Sequence, residues 1–161
     1  MSSRTPNHEI VPLETTHYVR DHCLCLHVQR AARMLARRFD EALRPLGLTS
    51  GQFSLLMSLN RPLPPTLGSV AGLLAMDRTT LTANLKPLER GGLIEVRPDE
   101  KDRRARRLAL TEKGRGLLFR AVPVWTATHR EIEAMLEAGG ADRLRADLNA
   151  LLRRDDGKDR S

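Results

Sequence analysis

The spacing of apolar residues changes twice in the middle of this chain, and this change restricts the fold more than any other feature. Before the change, apolar side chains recur every three or four positions, which indicates amphipathic helices. From Ile94 to Leu110 they alternate with polar residues, around a charged tip from Asp99 to Ala105, which predicts a two-stranded hairpin. From Thr111 the helical spacing returns. The chain is therefore predicted to be mainly α, with one small β-hairpin between helices.

The helices before the hairpin have clear start and stop signals. A long first helix is predicted from about Thr16 to Leu43, because apolar residues form one stripe along it and Pro45 follows. Three shorter helices follow, each opened by an N-cap residue: Thr49, Thr66 and Asp77. Thr49 and Gln52 also have the spacing of a capping box. A turn at 75–77 separates the last two of these helices, which is the arrangement of a helix-turn-helix motif.

Glycine pairs and one proline divide the rest of the chain. The pair at 91–92 is expected to close the fourth helix in the left-handed conformation. After the hairpin, the helix from Thr111 is predicted to continue through Pro123 with a kink, since the apolar spacing persists on both sides. The pair at 139–140 then separates a last amphipathic helix.

Composition narrows the class of partner and the compartment. The 161-residue chain has 27 Lys and Arg residues and 20 acidic residues, which gives a net charge of +7. This positive charge favours a polyanionic partner, and nucleic acid is a better candidate than an acidic membrane surface. The sequence shows neither a signal peptide nor an apolar run long enough to span a membrane, so a cytoplasmic protein without membrane contact is expected. Two cysteines two positions apart cannot form the disulfide framework of a small secreted protein.

The domain organisation follows from these elements. Residues 1–12 are predicted to be a flexible arm and 155–161 a polar tail, around a single domain at 13–154. Within it, residues of about 49–110 form a helix-turn-helix lobe with the hairpin as its wing. The helices at about 16–44 and 111–154 are amphipathic and lack an obvious partner in the same chain. They are therefore predicted to pair with a second copy in a twofold homodimer.

The helix after Asp77 is the candidate DNA-reading element. Placing Leu81, Leu85 and Leu88 inward leaves a polar face with small hydroxyl groups, which suit base edges in a major groove. The predicted contacts are Arg78, Thr79, Thr80, Thr82 and Lys86, with the two cations placed for phosphates. An ordinary solvated helix face is the alternative interpretation of the same residues.

The hairpin tip strengthens the DNA-binding interpretation. Six basic residues fall within eleven positions: Arg97, Lys101, Arg103, Arg104, Arg106 and Arg107. Guanidinium groups at a hairpin tip can enter the narrow minor groove beside a major-groove contact. The predicted wing contacts are Lys101, Asp102, Arg103 and Arg104, with the Asp102 carboxylate holding the Arg104 side chain extended.

Residues 67–114 resemble the MarR family of bacterial repressors. The resemblance lies in the segment Leu85-Lys-Pro-Leu-Glu-Arg-Gly-Gly-Leu-Ile, and in Asp102-Arg-Arg followed by Leu110-Thr-Glu-Lys-Gly114. It implies a winged helix-turn-helix homodimer built from the first and last two helices, with Arg104 at the wing tip in a minor groove. Two positions depart from the family pattern. Ala83 stands where many similar proteins carry a basic residue, and Pro87 lies inside the recognition helix.

The resemblance and the charge pattern lead to one functional prediction. The chain is expected to be a sequence-specific DNA-binding transcriptional regulator, a homodimeric repressor of nearby genes. It would bind double-stranded DNA at a pseudo-palindromic operator and leave it when a small molecule, an oxidant or a metal or metalloid binds. A winged-helix interaction module without specific DNA binding is an alternative, favoured by Ala83 and Pro87. A thiol-based enzyme is a further one, but phosphate-loop, dinucleotide and HExxH motifs are absent and no cofactor is expected.

The segment His22-Cys23-Leu24-Cys25-Leu26-His27 is the candidate effector or redox site. Soft thiolates beside imidazoles suit Cu(I), Zn²⁺ or a metalloid. In a continuous helix, however, positions i and i+2 point about 200° apart, so one metal or one unstrained disulfide needs a partner subunit or a frayed turn. Packing of Cys23 and Cys25 in a dimer interface, thiol oxidation and metal binding all stay open. An aromatic effector near His17, Tyr18, Phe53 and Trp125 is equally open.

Overall fold

Seven α-helices and one antiparallel hairpin form the part of the chain that the computed structural model describes, which is residues 10–99, 102 and 105–153. Before the hairpin the elements are α1 (Leu13–His22), α2 (Leu24–Leu43), a 3₁₀ turn (Arg44–Leu46), α3 (Ser50–Leu59), α4 (Leu67–Leu73) and α5 (Arg78–Arg90). Then come β1 (Ile94–Pro98), β2 (Arg106–Leu110), α6 (Glu112–Glu133) and α7 (Gly140–Leu152). The predicted mainly α fold with a hairpin wing is confirmed.

The chain divides into two compact units, Met1–Arg37 and Arg38–Ser161. The first unit contains α1 and the larger part of α2, and none of its described side chains is buried. The second unit contains the end of α2 and all later elements. Of the predicted arm at 1–12, only residues 10–12 are described, and the predicted tail at 155–161 lies outside the described residues.

The single long helix predicted from about Thr16 to Leu43 is wrong, because the helix is interrupted at Cys23. Cys23 has φ −73° and ψ 104°, which is extended rather than helical. Its N–H donates to Val19 O at 2.9 Å, ending α1, and its carbonyl accepts from His27 N at 3.1 Å, opening α2. Aromatic, β-branched, His and Cys residues are weaker helix formers, and Tyr18, Val19, His22 and Cys23 surround the break. Apolar spacing alone does not show such an interruption.

The hydrophobic core lies in the second unit, between α3, α4, α5, the hairpin and the first half of α6. Its most deeply buried large side chains are Leu43, Leu55, Leu56, Leu81, Leu88, Leu108 and Val70. The end of α2 is joined to this core, since Leu43 is buried and Asp40 Oδ1 accepts from Ser50 N at 2.6 Å. The core therefore fixes the orientation of α5 and the hairpin, the two predicted DNA-binding elements.

The hairpin pairs β1 with β2 in the register Ile94↔Leu110 to Pro98↔Arg106. Its inner face contributes Ile94, Leu108 and Leu110 to the core. A further contact joins β2 to the segment before α4, where Leu108 N donates to Pro65 O at 2.9 Å. The base of the hairpin is thus held from two sides.

The predicted helix caps are present. The Thr49 hydroxyl accepts from Gln52 N, and the Gln52 side chain accepts from Thr49 N, so both halves of the capping box form. Thr66 and Asp77 cap α4 and α5 as predicted, and α6 runs through Pro123 without ending. The glycine pair closes α5 as predicted: Gly91 has a right-handed φ of −73°, and Gly92 takes the left-handed conformation, with φ 67°.

Several helices expose apolar side chains in a single chain. Neither α1 nor α7 buries any side chain. Large apolar residues on them stand more than a third exposed: Leu13, Tyr18, Val19, Leu144, Leu151 and Leu152. Among the described residues, no helix is both long enough and apolar enough to cross a membrane.

Candidate nucleic-acid interface

The start of α5 is fixed by the Asp77 cap. Asp77 Oδ1 accepts from Thr80 N at 2.8 Å, and Asp77 Oδ2 accepts from the Thr80 hydroxyl at 2.6 Å. These two bonds to Thr80, the hydroxyl first, hold the pKa of the Asp77 carboxyl below its usual range. The Thr80 hydroxyl therefore has its proton engaged in the cap. It can still accept a hydrogen bond, and its methyl group remains for apolar contact.

The outward face of α5 is an open, shallow depression of about 340 Å³. It is lined by Arg78, Thr79, Thr82, Ala83 and Lys86. The inward residues Leu81, Leu85 and Leu88 are buried, as predicted, so the polar face is turned away from the core. The Thr82 hydroxyl donates to Arg78 O at 2.7 Å, which leaves its lone pairs and methyl group for a ligand.

Pro87 lies inside α5 without ending it, and the helix continues to Arg90. The carbonyl of Pro87 accepts from Gly91 N at 3.0 Å, so the last turn is closed. Pro87 has no N–H to donate to Ala83 O, but the helix continues past it, so the exposed face up to Lys86 remains helical.

An ion pair that sequence reasoning missed anchors the base of the hairpin. Asp99 is only 6% exposed and pairs with the Arg107 guanidinium. Arg107 also donates to Pro64 O at 2.7 Å, across to the segment before α4. From the sequence, Asp99 is the first residue of the charged tip and Arg107 is one of six basic residues in and around it, because sequence shows charge but not burial. Arg107 therefore holds the hairpin in place, and its guanidinium is already engaged.

Of the predicted wing contacts, only Asp102 lies among the described residues. Its N–H donates to Asp99 Oδ1 at 2.9 Å, so it belongs to the same anchored turn. The turn is closed further by Asp99 N donating to Ala105 O and Ala105 N donating to Asp102 O. Lys101, Arg103 and Arg104 lie outside the described residues, and with them the predicted Asp102–Arg104 contact.

The Leu110–Gly114 block ties the wing and α5 to the start of α6. The Thr111 hydroxyl donates to Gly92 O at 2.7 Å and caps α6 by accepting from Gly114 N at 3.0 Å. Lys113 Nζ donates to Gly91 O at 2.7 Å, at the end of α5. A Cβ on Gly114 would lie 2.0 Å from Leu93 O, so only glycine fits. The structural role of this block was not foreseen from its sequence.

The Cys–His segment lies in the first unit, around the helix break. Cys23 is half-buried and Cys25 exposed, and both thiols are free. Nδ1 of His22 donates to Tyr18 O and Nδ1 of His27 to Cys23 O, both at 2.9 Å. Within the described part of the chain, no three His, Cys, Asp or Glu side chains are grouped as a metal site would require.

The aromatic residues proposed for an effector belong to both compact units. The Phe53 and Trp125 rings stack with centroids 6.1 Å apart, and His129 stacks on Trp125 at 4.6 Å. Phe53 and Trp125 line a groove of about 440 Å³ together with Arg61. Tyr18 instead stacks on His22 in the first unit, with centroids 4.2 Å apart.

The Asp77 cap gives a prediction for acid unfolding. Because the folded-state pKa of Asp77 is lowered, its contribution to stability is present above the unfolded-state pKa and is lost as the pH falls through the folded value. Asp77→Asn keeps a capping side chain without the titrating group. We expect the wild type to lose more stability than Asp77→Asn below about pH 4, in denaturant titrations followed by circular dichroism. If the stability of the two proteins fell equally with pH, the contribution of the Asp77 carboxylate to the cap would be contradicted.

Comparison with known proteins connects this geometry to a family. The sequence model of the MarR family matches residues 48–105. The crystal structure of the M. tuberculosis regulator MosR in complex with DNA resembles this chain with a TM-score of 0.74 and 40% sequence identity, over 81% of this chain and 94% of that one. This chain belongs to the MarR family.

Two curated relatives agree with this assignment. The transcriptional repressor MprA of Escherichia coli is 31% identical over 94% of this chain and 84% of its own length. The transcriptional activatory protein BadR of Rhodopseudomonas palustris is 35% identical, but the alignment spans 57% of this chain and 54% of BadR. The MarR-family chain described here is a DNA-binding transcriptional regulator with a winged helix-turn-helix fold. The family, fold and regulatory function predicted from sequence are confirmed, and its relatives are regulators by name.

Proposed function

We propose that this MarR-family protein is a homodimeric repressor of nearby genes that binds a pseudo-palindromic operator. The observation that carries the proposal is the exposed polar face of α5, lined by Arg78, Thr79, Thr82 and Lys86, next to a hairpin with a basic tip. A repressor is favoured over an activator because MprA aligns with 94% of this chain and BadR with 57%.

The residues of α5 would divide their tasks in the major groove. Arg78 and Lys86 are the two basic residues that line the depression and would contact phosphates. Thr79, Thr80 and Thr82 would meet base edges and thymine methyl groups through short side chains. Thr80 would act there only as an acceptor or through its methyl group, because its hydroxyl donates to Asp77.

The wing would add a minor-groove contact. Lys101, Arg103 and Arg104 form the basic tip, and Asp102 lies in the anchored turn beside them. A positively charged tip on a rigid base suits the electronegative minor groove that flanks the major-groove site. Support for this comes from the Asp99–Arg107 pair, which holds the base of the hairpin beside the basic tip.

Two copies would pair through the exposed apolar faces of the terminal helices. Exposed apolar residues on α1 and α7 have no cover in one chain, and a twofold homodimer is the commonest way to cover such faces. Two recognition helices would then lie about 34 Å apart, one turn of DNA. An effector that binds a dimer with another lobe spacing would release the DNA.

The test is binding to the DNA upstream of the protein's own gene. We expect retardation at about 0.15 M salt with excess non-specific DNA present, and a footprint of two half-sites about one DNA turn apart. A single protected half-site would contradict the dimer. Retardation abolished by competitor DNA would favour the interaction module without specific binding.

Two charge substitutions test the contacts. Lys86→Gln and Arg104→Ala are each expected to weaken operator binding by about tenfold and to reduce the salt dependence of the affinity by about one counterion. Arg120→Gln, on exposed α6 surface, removes the same charge and serves as the control. Fluorescence anisotropy at four salt concentrations measures both quantities. Equal losses in all three variants would mean that only net charge matters and would overturn the assigned contacts.

A further inference from the structure

The exposed face of α5 carries three short side chains that lie between two cations in the sequence. Thr79, Thr82 and Ala83 line the depression on this face, together with Arg78 and Lys86. We propose that the three short residues select a thymine·adenine pair in each half-site through the 5-methyl group of thymine, and that Ala83 determines this selection. The inference rests on the proposed function, because it names the base pair that the recognition helix would read.

The three short residues form one continuous methyl surface. Thr82 and Ala83 follow Thr79 by three and four positions, so their side chains are neighbours on the same side of the helix. All three residues are exposed, whereas Leu81 and Leu85 are buried on the opposite side. The side chain of Ala83 is a methyl group, and each threonine carries one. Alanine and threonine methyl groups are the usual apolar contacts of the thymine methyl group.

The hydroxyl group of Thr82 is available to a base only as an acceptor. It donates its proton to Arg78 O at 2.7 Å, so its lone pairs remain for a ligand. In the major groove a thymine·adenine pair presents the thymine methyl group and the N6 amino donor of adenine. The methyl surface and the Thr82 acceptor match these two features. Guanine presents the acceptors O6 and N7 there, and the Thr82 proton is already engaged.

The side chain best suited to hydrogen bonding with adenine lies outside the depression. Asparagine and glutamine pair with adenine through two hydrogen bonds, and Asn84 is the only such residue of α5, which is described over its full length. Its Nδ2 lies 3.9 Å from Sδ of Met76, which precedes α5. Asn84 is not among the residues that line the depression. The exposed face therefore offers a base pair methyl groups rather than an amide.

The spacing of the two cations places the methyl surface over the bases. Arg78 and Lys86 are eight residues apart in α5, which is about 12 Å along the helix axis. The major groove of B-form DNA is also about 12 Å wide. With both cations on phosphates, the part of α5 between them faces the base edges. Side chains as short as Ala83 then allow the helix to approach those edges closely.

Replacing thymine by uracil tests the methyl contact by itself. Uracil lacks the 5-methyl group but keeps the O4 acceptor and the pairing with adenine, and the minor groove is unchanged. Duplexes would first be selected by the wild-type protein from a library of random sequence. Each thymine of the selected half-sites is then replaced singly by deoxyuridine, and affinity is measured by fluorescence anisotropy. We expect an affinity loss of about fourfold at the thymine read by Ala83, the value of one buried methyl group.

The variant Ala83→Gly tests the residue that makes the contact. Its ratio of affinities for the thymine and uracil duplexes should fall from about four towards one, because the Ala83 methyl group is absent. Both duplexes are measured with the same variant, so a loss of folded protein cancels from the ratio. Asn84→Ala, at the next position of α5 but outside the depression, is the control and should keep the wild-type ratio.

Cytosine and 5-methylcytosine separate the methyl contact from hydrogen bonding. Replacing the selected thymine·adenine pair by cytosine·guanine should weaken binding by more than tenfold, since the methyl group is lost and guanine O6 meets no donor from Thr82. The 5-methylcytosine·guanine pair should recover about fourfold of this loss. Recovery of affinity in the wild type but not in Ala83→Gly would support the contact.

Three results would overturn the inference. They are uracil duplexes bound as tightly as thymine duplexes at every position, equal thymine-to-uracil ratios for the wild type and Ala83→Gly, and no recovery with 5-methylcytosine. If the wild-type protein selected no sequence from the library, the result would instead count against the proposed function.

Discussion

Replacing Gly114 by alanine is expected to lower the free energy of unfolding by about 3 kcal/mol, the upper part of the range for overpacking. The added Cβ would lie 2.0 Å from Leu93 O and 3.0 Å from Leu93 C, so backbone rather than a flexible side chain has to move. A loss of this size lowers the melting temperature by roughly 6–12 °C. Differential scanning calorimetry at a fixed protein concentration measures it, since assembly would make melting depend on concentration.

Gly116 provides a matched control two residues further along α6. It is exposed, and a Cβ there meets nothing within 4 Å. Gly116→Ala should therefore raise stability by up to about 1 kcal/mol, through helix propensity alone. Opposite signs for the two variants are expected. A Gly114→Ala protein as stable as Gly116→Ala would show that α6 does not approach Leu93 as closely as described.

Replacing Arg107 by alanine is expected to lower stability by about 2 kcal/mol and operator affinity by about tenfold. Its loss removes the Arg107 guanidinium from the Asp99 carboxylate, which is 6% exposed, and also removes the hydrogen bond to Pro64 O. The stability loss is placed below the range for fully buried pairs because Arg107 is itself 39% exposed. Urea titration and fluorescence anisotropy measure the two effects.

Arg106 is the control for this substitution. It is exposed, adjacent in sequence, and carries the same charge. Arg106→Ala should change stability by no more than about 0.5 kcal/mol. The double variant Asp99→Ala, Arg107→Ala should lose less than the sum of the two single variants, because both single variants remove the same ion pair. Additive losses, or equal losses for Arg106→Ala and Arg107→Ala, would contradict the proposed anchor.

Much of the fold was predictable because its signals are local. The caps at Thr49, Thr66 and Asp77 depend on side chains that bond within three residues, and all of them form. The hairpin was predictable because apolar and polar residues alternate along its strands, as a strand pair with one buried face requires. The inward and outward faces of α5 were likewise fixed by spacing.

The structural features that the sequence did not show depend on contacts between distant residues or on backbone angles. The sequence shows Arg107 only as one of several basic residues near the tip, since folding alone brings its partners Asp99 and Pro64 to it. The break at Cys23 lies directly before the apolar stripe that begins at Leu24, and the spacing of apolar residues does not record the ψ angle of Cys23. Backbone angles also decide that Gly92, and not Gly91, takes the left-handed conformation.

The attachment of α6 to the DNA-binding lobe limits how this regulator can respond to a signal. Lys113 and Thr111 bond the carbonyls of Gly91 and Gly92, so the end of α5 and the foot of the hairpin are fixed to one helix terminus. These bonds predict that the recognition helix and the base of its wing move together. In the proposed repressor, the separation of the major-groove and minor-groove contacts within each operator half-site would then be constant. Only the distance between half-sites would be left for an effector to change.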